Sequence, residues 1–470
     1  MSQSSAAREL RMPPLMPSMA DGKIQRWHVS EGQRVAAGDV IAEVATTGAT
    51  LEIEAENEGC IERILVPAGT MGVKVNTPIA IFSDPRDASV KRDATGQASS
   101  LAAAEEGREP VAVSDAAGSR VDVVDALAMA GSAVVLNYRE ALRDALAEEM
   151  RRDPAVFVIG SDLAQNRGAQ KVTQGLLDEF GAGRVVTAPP LDDAFINLAV
   201  GAALGGLRPV VEVSSWPKAL EAAYSAIAVA AEVPYLTGGA VSLPLVIRGP
   251  NGWSLGHTGH ETRCVAALLA QIPGLKVVAP ATAATAKALL RAAIRDDGPV
   301  AVLEHELLYG GPGEAFSDDL AITIGAARVA REGSDVTIVA LGREVATALE
   351  AAEWLASEAI AVEVIDLMSL RPLDVASIVA SVRKTGRLLT LEEGWPTCGL
   401  GAEIVAAVTE AAFGALKAAP LRVAGAAVPM PYSEPLQAHA LPSAKRVADA
   451  IWGALRGGRP PKWLSISQLA

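Results

Sequence analysis

Two histidines and an acid stand together in a glycine-rich segment, Trp253 to Arg263, which reads WSLGHTGHETR. They are His257, His260 and Glu261, and the whole chain has five histidines. Imidazole groups can bind hydroxyl or phosphate groups and can move protons near neutral pH. A lone surface histidine usually has no function, but two in one such loop favour a functional role.

A pair of acids, Asp192 and Asp193, precedes an apolar helical pattern in APPLDDAFINLAVGAA. A carboxyl group at such a place can exchange a proton with a bound ligand. Aspartate is also a common N-cap, so capping of the helix that follows is the structural alternative. The two roles are compatible with each other.

Composition excludes some classes of function. The 470-residue chain has a net charge of -14 and no stripe of Lys or Arg that could neutralise phosphates, which argues against nucleic acid as a partner. No apolar run reaches the roughly 20 residues that a membrane-spanning helix needs, and MSQSSAAREL lacks a signal-peptide core. We therefore expect no membrane association and a cytoplasmic location.

The chain length suggests about three domains. Within residues 10–85, short alternating apolar and polar runs are separated by glycine-containing turns, which predicts a small β-sandwich or flattened barrel. Residues 86–137 are rich in Ala, Ser, Gly and charge, and they predict a flexible linker. Helix and strand patterns alternate over 138–325 and again over 330–455, before a tail at 456–470. That alternation predicts an α/β fold with parallel sheets covered by helices.

The first domain resembles a lipoyl domain of the biotinyl/lipoyl type, through MPPLMPSMADGKIQRWHVSEGQRVAAGDVIAEV and VPAGTMGVKVNTPIAIF. Its hairpin tip, in EVATTGATLEIEA, has Gly48 where the family has its attachment lysine. Glycine adopts the positive φ of a tight hairpin without strain, so the fold survives this change. We expect a structural or docking module without a lipoyl group.

The rest of the chain resembles the β subunit of the decarboxylating component of 2-oxo acid dehydrogenase complexes, the pyruvate dehydrogenase type above all. The segments that carry the resemblance include GAALGGLRPVVE, RGPNG, IPGLKVVAPATA, EEGWPTCGLGAEI and VPMPYSEPL. The resemblance implies a transketolase-like pyrimidine-binding domain, a transketolase C-terminal domain, and thiamine diphosphate held between the subunits of an α2β2 heterotetramer. The α partner would hold the diphosphate and Mg²⁺.

The resemblance places the acid that activates the cofactor's aminopyrimidine at Asp192, which is one methylene shorter than the family's glutamate. Asp193, as the next residue, would point elsewhere in an extended segment. An aromatic residue of the pocket wall falls at Lys218. Trp216 lies two positions earlier and shares that face if the segment is extended, with core packing as its alternative.

Other positions of the family pattern also differ. An acid expected at the channel falls at Ser161, with Asp162 beside it. In the loop described first, Glu261 stands where the pyruvate family has a histidine, and Gly256 to His260 is more similar to the loop of transketolases. Asp296 matches a loop that holds potassium in some relatives, although ion-free turns use the same residues.

The main hypothesis is the β subunit of a thiamine-diphosphate-dependent two-carbon transfer enzyme, active only with an α partner. Its donor would be a 2-oxo acid such as pyruvate, and its acceptor the thiol of a lipoyl-bearing acyltransferase or an acyl carrier protein. One alternative is a hybrid with transketolase that takes a hydroxyacyl unit from a ketose phosphate for secondary metabolism. Another is a catalytically silent scaffold subunit.

Overall fold

A computed structural model describes residues 8–13, 21–36, 38–45, 50–55, 58–83, 133–161, 163, 171–254, 259–317 and 320–457. The chain divides into two compact units, one within residues 1–131 and one within 132–470. Among the described residues, no helix has the length and apolar character needed to cross a membrane.

The first unit consists of two four-stranded sheets, with strand orders β1-β8-β6-β3 and β5-β4-β2-β7. Alternate side chains such as Ile24, Val44, Ile53, Ile61 and Ile79 are buried in its core. The predicted small all-β domain is therefore confirmed. The strands are β1 (Arg8–Arg11), β2 (Asp21–Trp27), β3 (Arg34–Val35), β4 (Val40–Ala45), β5 (Thr50–Glu54), β6 (Gly59–Ile64), β7 (Val73–Lys74) and β8 (Pro78–Ser83).

Strands β4 and β5 form an antiparallel pair in which Ala45 faces Thr50. Gly48 falls in the connection between them, and this connection lies outside the described residues. The prediction about the tip rests on the sequence alone.

The second unit contains a seven-stranded sheet of order β11-β10-β12-β13-β15-β14-β20. All neighbouring strands are parallel except β14 and β20. Its central strands are buried and largely apolar, as expected for a parallel sheet covered on both faces, whereas the edge strand β11 is partly exposed. They are β10 (Val156–Ser161), β11 (Val185–Ala188), β12 (Arg208–Glu212), β13 (Val246–Pro250), β14 (Lys276–Val278), β15 (Val300–Glu304) and β20 (Ser369–Arg371).

A second sheet, of order β17-β19-β18-β21-β22, is parallel apart from β17. A short antiparallel pair joins β9 and β16. The strands concerned are β9 (Ala133–Leu136), β16 (Glu314–Ser317), β17 (Arg328–Arg331), β18 (Val336–Ala340), β19 (Val362–Asp366), β21 (Leu388–Leu391) and β22 (Leu421–Val423).

Helices cover these two sheets, and some of them begin at side-chain caps. Asn137 and Glu140 form a capping box at the first helix, and Thr282 and Thr285 form another at the sixth. The helices are α1 (Tyr138–Arg152), α2 (Leu176–Phe180), α3 (Asp192–Leu204), α4 (Trp216–Leu236), α5 (Ala266–Ala270), α6 (Ala283–Arg295), α7 (Glu306–Tyr309), α8 (Glu344–Ala356), α9 (Val375–Thr385), α10 (Leu400–Ala412), α11 (Glu434–Ala440) and α12 (Ala444–Arg456).

The two α/β regions of the second unit are joined more closely than the sequence indicated. Strand β20 comes from the C-terminal region, yet it pairs with β14 at the edge of the seven-stranded sheet. One hydrophobic core also contains side chains of both regions, for example Ile247 and Leu303 together with Ile365 and Val382. A strand and a core are therefore shared across the predicted boundary.

One element lies where the sequence predicted linker. Strand β9 falls within 86–137, and it pairs with β16 from Ala133 facing Ser317 to Leu136 facing Glu314. The apolar run AVVL directly before the capping residue Asn137 is the local reason for this strand. The other residues of the predicted linker lie outside the described ranges.

A buried ion network ties three neighbouring strands together at their carboxyl ends. The Arg248 guanidinium, 1% exposed, donates to both carboxylate oxygens of Glu304 at 2.5 Å and also donates to Glu212. The Tyr309 hydroxyl donates to Glu304 as well. Burial disfavours the charge of Arg248, but Glu304 and Glu212 outweigh that effect and raise its pKa above the ordinary value.

Replacing Arg248 with Met should lower the free energy of unfolding by about 3–5 kcal/mol, because two buried carboxylates would lose their cation. Chemical denaturation monitored by circular dichroism would measure this. The matched control is Arg151→Met, which removes a surface partner of Glu179 and should change stability far less. Equal effects of the two substitutions would contradict the assigned importance of the network.

Candidate functional site

Asp192 is the first residue of α3, and it does not cap that helix. The N-cap position belongs to Leu191, where no side-chain hydrogen bond is made, so the capping alternative is wrong for Asp192. Its carboxyl is half-buried, and no described group hydrogen-bonds to it. Burial raises the pKa of Asp192; Lys218 acts to lower it and Asp193 acts to raise it. The structure thus presents an acid with a raised pKa and free hydrogen-bonding capacity.

Lys218 is the charged group that links Asp192 to the glycine-rich loop. Its Nζ lies 2.7 Å from the Glu261 Oε1, with the two side chains 44% and 26% exposed. The same ammonium lowers the pKa of Asp192 through its charge. Lys218 therefore interacts with two acids, with Glu261 through an ion pair and with Asp192 through its charge. The sequence indicated each position separately but not their association.

Trp216 belongs to the hydrophobic core rather than to a ligand pocket. Its side chain is fully buried and its Nε1 donates to the Val302 carbonyl at 3.0 Å. The proposed stacking role assumed an extended segment, whereas Trp216 and Lys218 lie in the first turn of α4. Positions two apart on a helix face different directions, which separates the buried indole from the exposed ammonium. Of the two alternatives for Trp216, the structure supports core packing.

Ser161 lies at the same sheet edge as the segment that leads to Asp192. It ends β10 and faces Ala188, the last residue of the parallel strand β11. The chain then runs from Ala188 to Asp192 over four residues. Asp162 is outside the described residues.

The histidines of the glycine-rich loop are only partly described. His257 lies outside the described residues, as does the side chain of His260, whose backbone is part of a 3₁₀ turn, Gly259–Glu261. Their functional role stays a prediction. Glu261, at the end of that turn, is the loop residue that the structure places beside Lys218.

Asp296 takes part in a turn closed by groups of the protein itself. Its carboxylate contacts Lys276 Nζ at 2.5 Å and accepts the Gly298 amide at 2.8 Å, while its carbonyl accepts from Arg208 at 2.6 Å. Cationic side chains contact both the carboxylate and the carbonyl of Asp296, so the structure supports the ion-free turn. In the part of the chain that is described, no group of three His, Cys, Asp or Glu residues could hold a metal ion.

Family models match three parts of the chain. The transketolase pyrimidine-binding domain matches residues 135–312, the transketolase C-terminal domain residues 325–447, and a domain described as "biotin-requiring enzyme" residues 8–82. A solved structure titled "Split gene transketolase, inactive beta4 tetramer" superposes with a TM-score of 0.54 at 28% identity, covering 69% of this chain and 99% of that one. The class is therefore a transketolase-type α/β protein with a biotin/lipoyl-type domain.

The relatives narrow this class to one family. The pyruvate dehydrogenase E1 component subunit beta of Rhizobium meliloti is 46% identical over 451 residues, which cover 94% of this chain and 98% of the relative. The mitochondrial subunit of Bos taurus is 44% identical over 327 residues, covering 68% and 91%. The chain belongs to the family of pyruvate dehydrogenase E1 component β subunits, and the resemblance found in the sequence is confirmed.

Replacing Lys218 with Met should raise the pKa of Asp192 further, because the ammonium that favours the carboxylate form is removed. Titration of the aspartate carboxyl carbon by NMR would measure the change. The matched control is Lys276→Met, which removes an ammonium paired with Asp296 instead. An Asp192 titration that is the same in Lys218→Met and in the unaltered chain would contradict the assigned interaction.

Proposed function

We propose that this chain is the β subunit of a thiamine-diphosphate-dependent 2-oxo acid dehydrogenase in which Asp192 contacts the aminopyrimidine of the cofactor. The observation that carries the proposal is the half-buried Asp192 carboxyl, which has a raised pKa and no hydrogen-bond partner among the described residues. The family relationship supplies the cofactor class.

The surroundings of Asp192 fit the pyrimidine end of this cofactor. Thiamine diphosphate, when bound, supplies a carbon nucleophile that cleaves the bond next to a carbonyl group. A carboxyl whose pKa is raised by burial can hold a proton and share it with a ring nitrogen. The charge of Lys218 acts against that rise in the pKa of Asp192, because a nearby cation favours the carboxylate form.

A partner subunit is part of the proposal. Helices α3 and α4 carry large apolar side chains that are at least half exposed in this chain: Leu198 and Leu204 on α3, and Tyr224, Val229, Tyr235 and Leu236 on α4. Several exposed large apolar side chains on two neighbouring helices are typical of a protein interface. We assign this surface to association in an α2β2 heterotetramer whose α subunit holds the diphosphate and Mg²⁺. The split-gene transketolase titled as an inactive β4 tetramer supports the expectation that β chains alone are inactive.

Pyruvate is the donor that the relatives favour, since they are pyruvate dehydrogenase subunits. A ketose phosphate is the second candidate, and the observation favouring it is the ion pair of Lys218 and Glu261. The pair replaces an aromatic residue and a histidine of the pyruvate pattern with polar groups suited to hydroxyls. We place the enzyme in the cytoplasm, with the acceptor thiol on a separate acyltransferase or carrier protein.

Replacing Asp192 with Asn should lower turnover of the assembled α and β subunits by about 10²–10⁴-fold, because the amide cannot exchange the proton. Asp192→Glu, which retains the acid, should keep activity. Carbon dioxide release from pyruvate and cleavage of xylulose 5-phosphate, each offered alone, would be measured for every variant. The matched control is Asp193→Asn, an exposed neighbour that should have a much smaller effect.

Four outcomes of this assay are decisive. Carbon dioxide release from pyruvate excludes the ketose as the donor, and cleavage of the ketose alone excludes pyruvate. Full activity of Asp192→Asn refutes the assigned role of Asp192. A complex in which every β variant is equally inactive would instead favour the silent scaffold subunit.

The first domain should carry no lipoyl group, because Gly48 replaces the attachment lysine. Intact-mass and peptide mass spectrometry of the chain, purified with its partners, would test this. The exposed Lys23 and Lys74 lie in the paired strands β2 and β7 rather than in the β4–β5 connection, so neither should be modified. The lipoyl-bearing acyltransferase from the same preparation is the positive control, and a lipoyl adduct on this chain would contradict the prediction.

A further inference from the structure

The side chain of Glu393, in the C-terminal region, contacts the segment that follows β13. Glu393 follows β21 after one residue, and its Oε1 accepts the main-chain N–H of Trp253. Its carboxylate also packs against Gly252, where an added Cβ would lie 2.5 Å from that same oxygen and where φ is +89°. We call Asn251–Ser254 the loop start. Its backbone therefore lies directly against the Glu393 carboxylate.

The second oxygen of Glu393 is held by His305, which follows strand β15 directly. The Nε2 of His305 lies 2.9 Å from Glu393 Oε2, and its Nδ1 accepts the Leu307 amide at 3.2 Å. Because Nδ1 accepts, the proton is on Nε2, and the ring donates to Glu393. Burial disfavours the charge of Glu393, but His305 and the Trp253 amide outweigh it and lower the pKa of this carboxyl. The carboxylate is thus ionised and fixed at both oxygens.

The loop start is connected to the residues around Glu261 by Asn251. The Asn251 Oδ1 accepts the Val265 amide at 2.8 Å, and its Nδ2 lies 3.4 Å from the Cys264 Sγ. Val265 comes four residues after Glu261. Contacts among described residues therefore connect Glu393 to the loop start, and the loop start to the residues that follow the glycine-rich loop.

We propose that Glu393 is a positioning residue of the active site, which fixes the loop start through the Trp253 main chain while His305 fixes Glu393. The part of this proposal that concerns activity rests on the proposed function, whereas the positioning of the backbone does not. A carboxylate acceptor suits this role because hydrogen bonds to a charged group are about twice as strong as neutral ones.

Hydrogen–deuterium exchange of the isolated chain tests the backbone part without any partner or substrate. Glu393→Ala should speed exchange of the Trp253 amide by about 10- to 100-fold, since a buried N–H would lose a charged acceptor. Glu393→Gln should cause a smaller increase, because the side-chain amide oxygen still accepts. Unchanged exchange at Trp253 in Glu393→Ala would overturn the proposal. If that variant does not fold, unchanged exchange in Glu393→Gln would do so.

The neighbouring acid Glu392 provides a matched control. It is also buried, but its carboxylate accepts the amides of Leu400 and Gly401 at the start of α10, within its own region. Glu392→Gln should speed exchange at those two amides and leave Trp253 protected. Faster exchange at Trp253 in Glu392→Gln, equal to that in Glu393→Gln, would show a general loosening and would contradict a specific role.

Activity of the assembled enzyme supplies the second readout. Glu393→Gln should lower kcat/KM by about 10- to 100-fold at unchanged melting temperature, because small displacements of positioning groups have effects of this size. Unchanged kcat/KM together with faster exchange would refute a role in the active site. The result is separable from that for Asp192: a fully active Asp192→Asn enzyme would refute the proposed function, yet it would leave the exchange result for Trp253 intact.

Discussion

The buried charge of Arg248 is the constraint on which the site depends. A guanidinium removed from water requires carboxylates with good geometry, and Glu212 and Glu304 from neighbouring strands provide them. Each member of this network is followed by a segment of the site: Glu212 by the helix with Lys218, Arg248 by the loop start, and Glu304 by His305. The need of Arg248 for two carboxylates thus holds together the strand ends from which three segments of the site leave the sheet.

The charges at the surface of the site act differently from this buried network. The pair of Lys218 and Glu261 is partly exposed, so its contribution to folding stability is small. The charge of Lys218 instead affects the pKa of Asp192. A nearby cation shifts the pKa of a carboxyl group even where it adds little to folding stability. Lys218, at the position where the resemblance implied an aromatic residue, is thus a cation whose charge lowers the pKa of Asp192.

Local patterns in the sequence predicted the α/β alternation, the small all-β domain and the position of Asp192 at a helix start. The stacking role considered for Trp216 assumed an extended segment. Ser215 and Pro217 are typical of the beginning of a helix, so the local sequence did indicate the helical geometry that the structure has. Contacts between distant residues had no such signal. Glu393 and Trp253 are 140 residues apart, and no periodicity connects them. The same holds for the pairing of β20 with β14.

The pairing of β20 with β14 also determines how this chain can be divided. A parallel sheet that ended at β14 would present a row of unpaired N–H and C=O groups to solvent, and exposed edges of this kind promote aggregation. The C-terminal region covers that edge with its own strand and shares a hydrophobic core with the sheet. A cut between the two regions would therefore expose both an unpaired strand edge and apolar core surface.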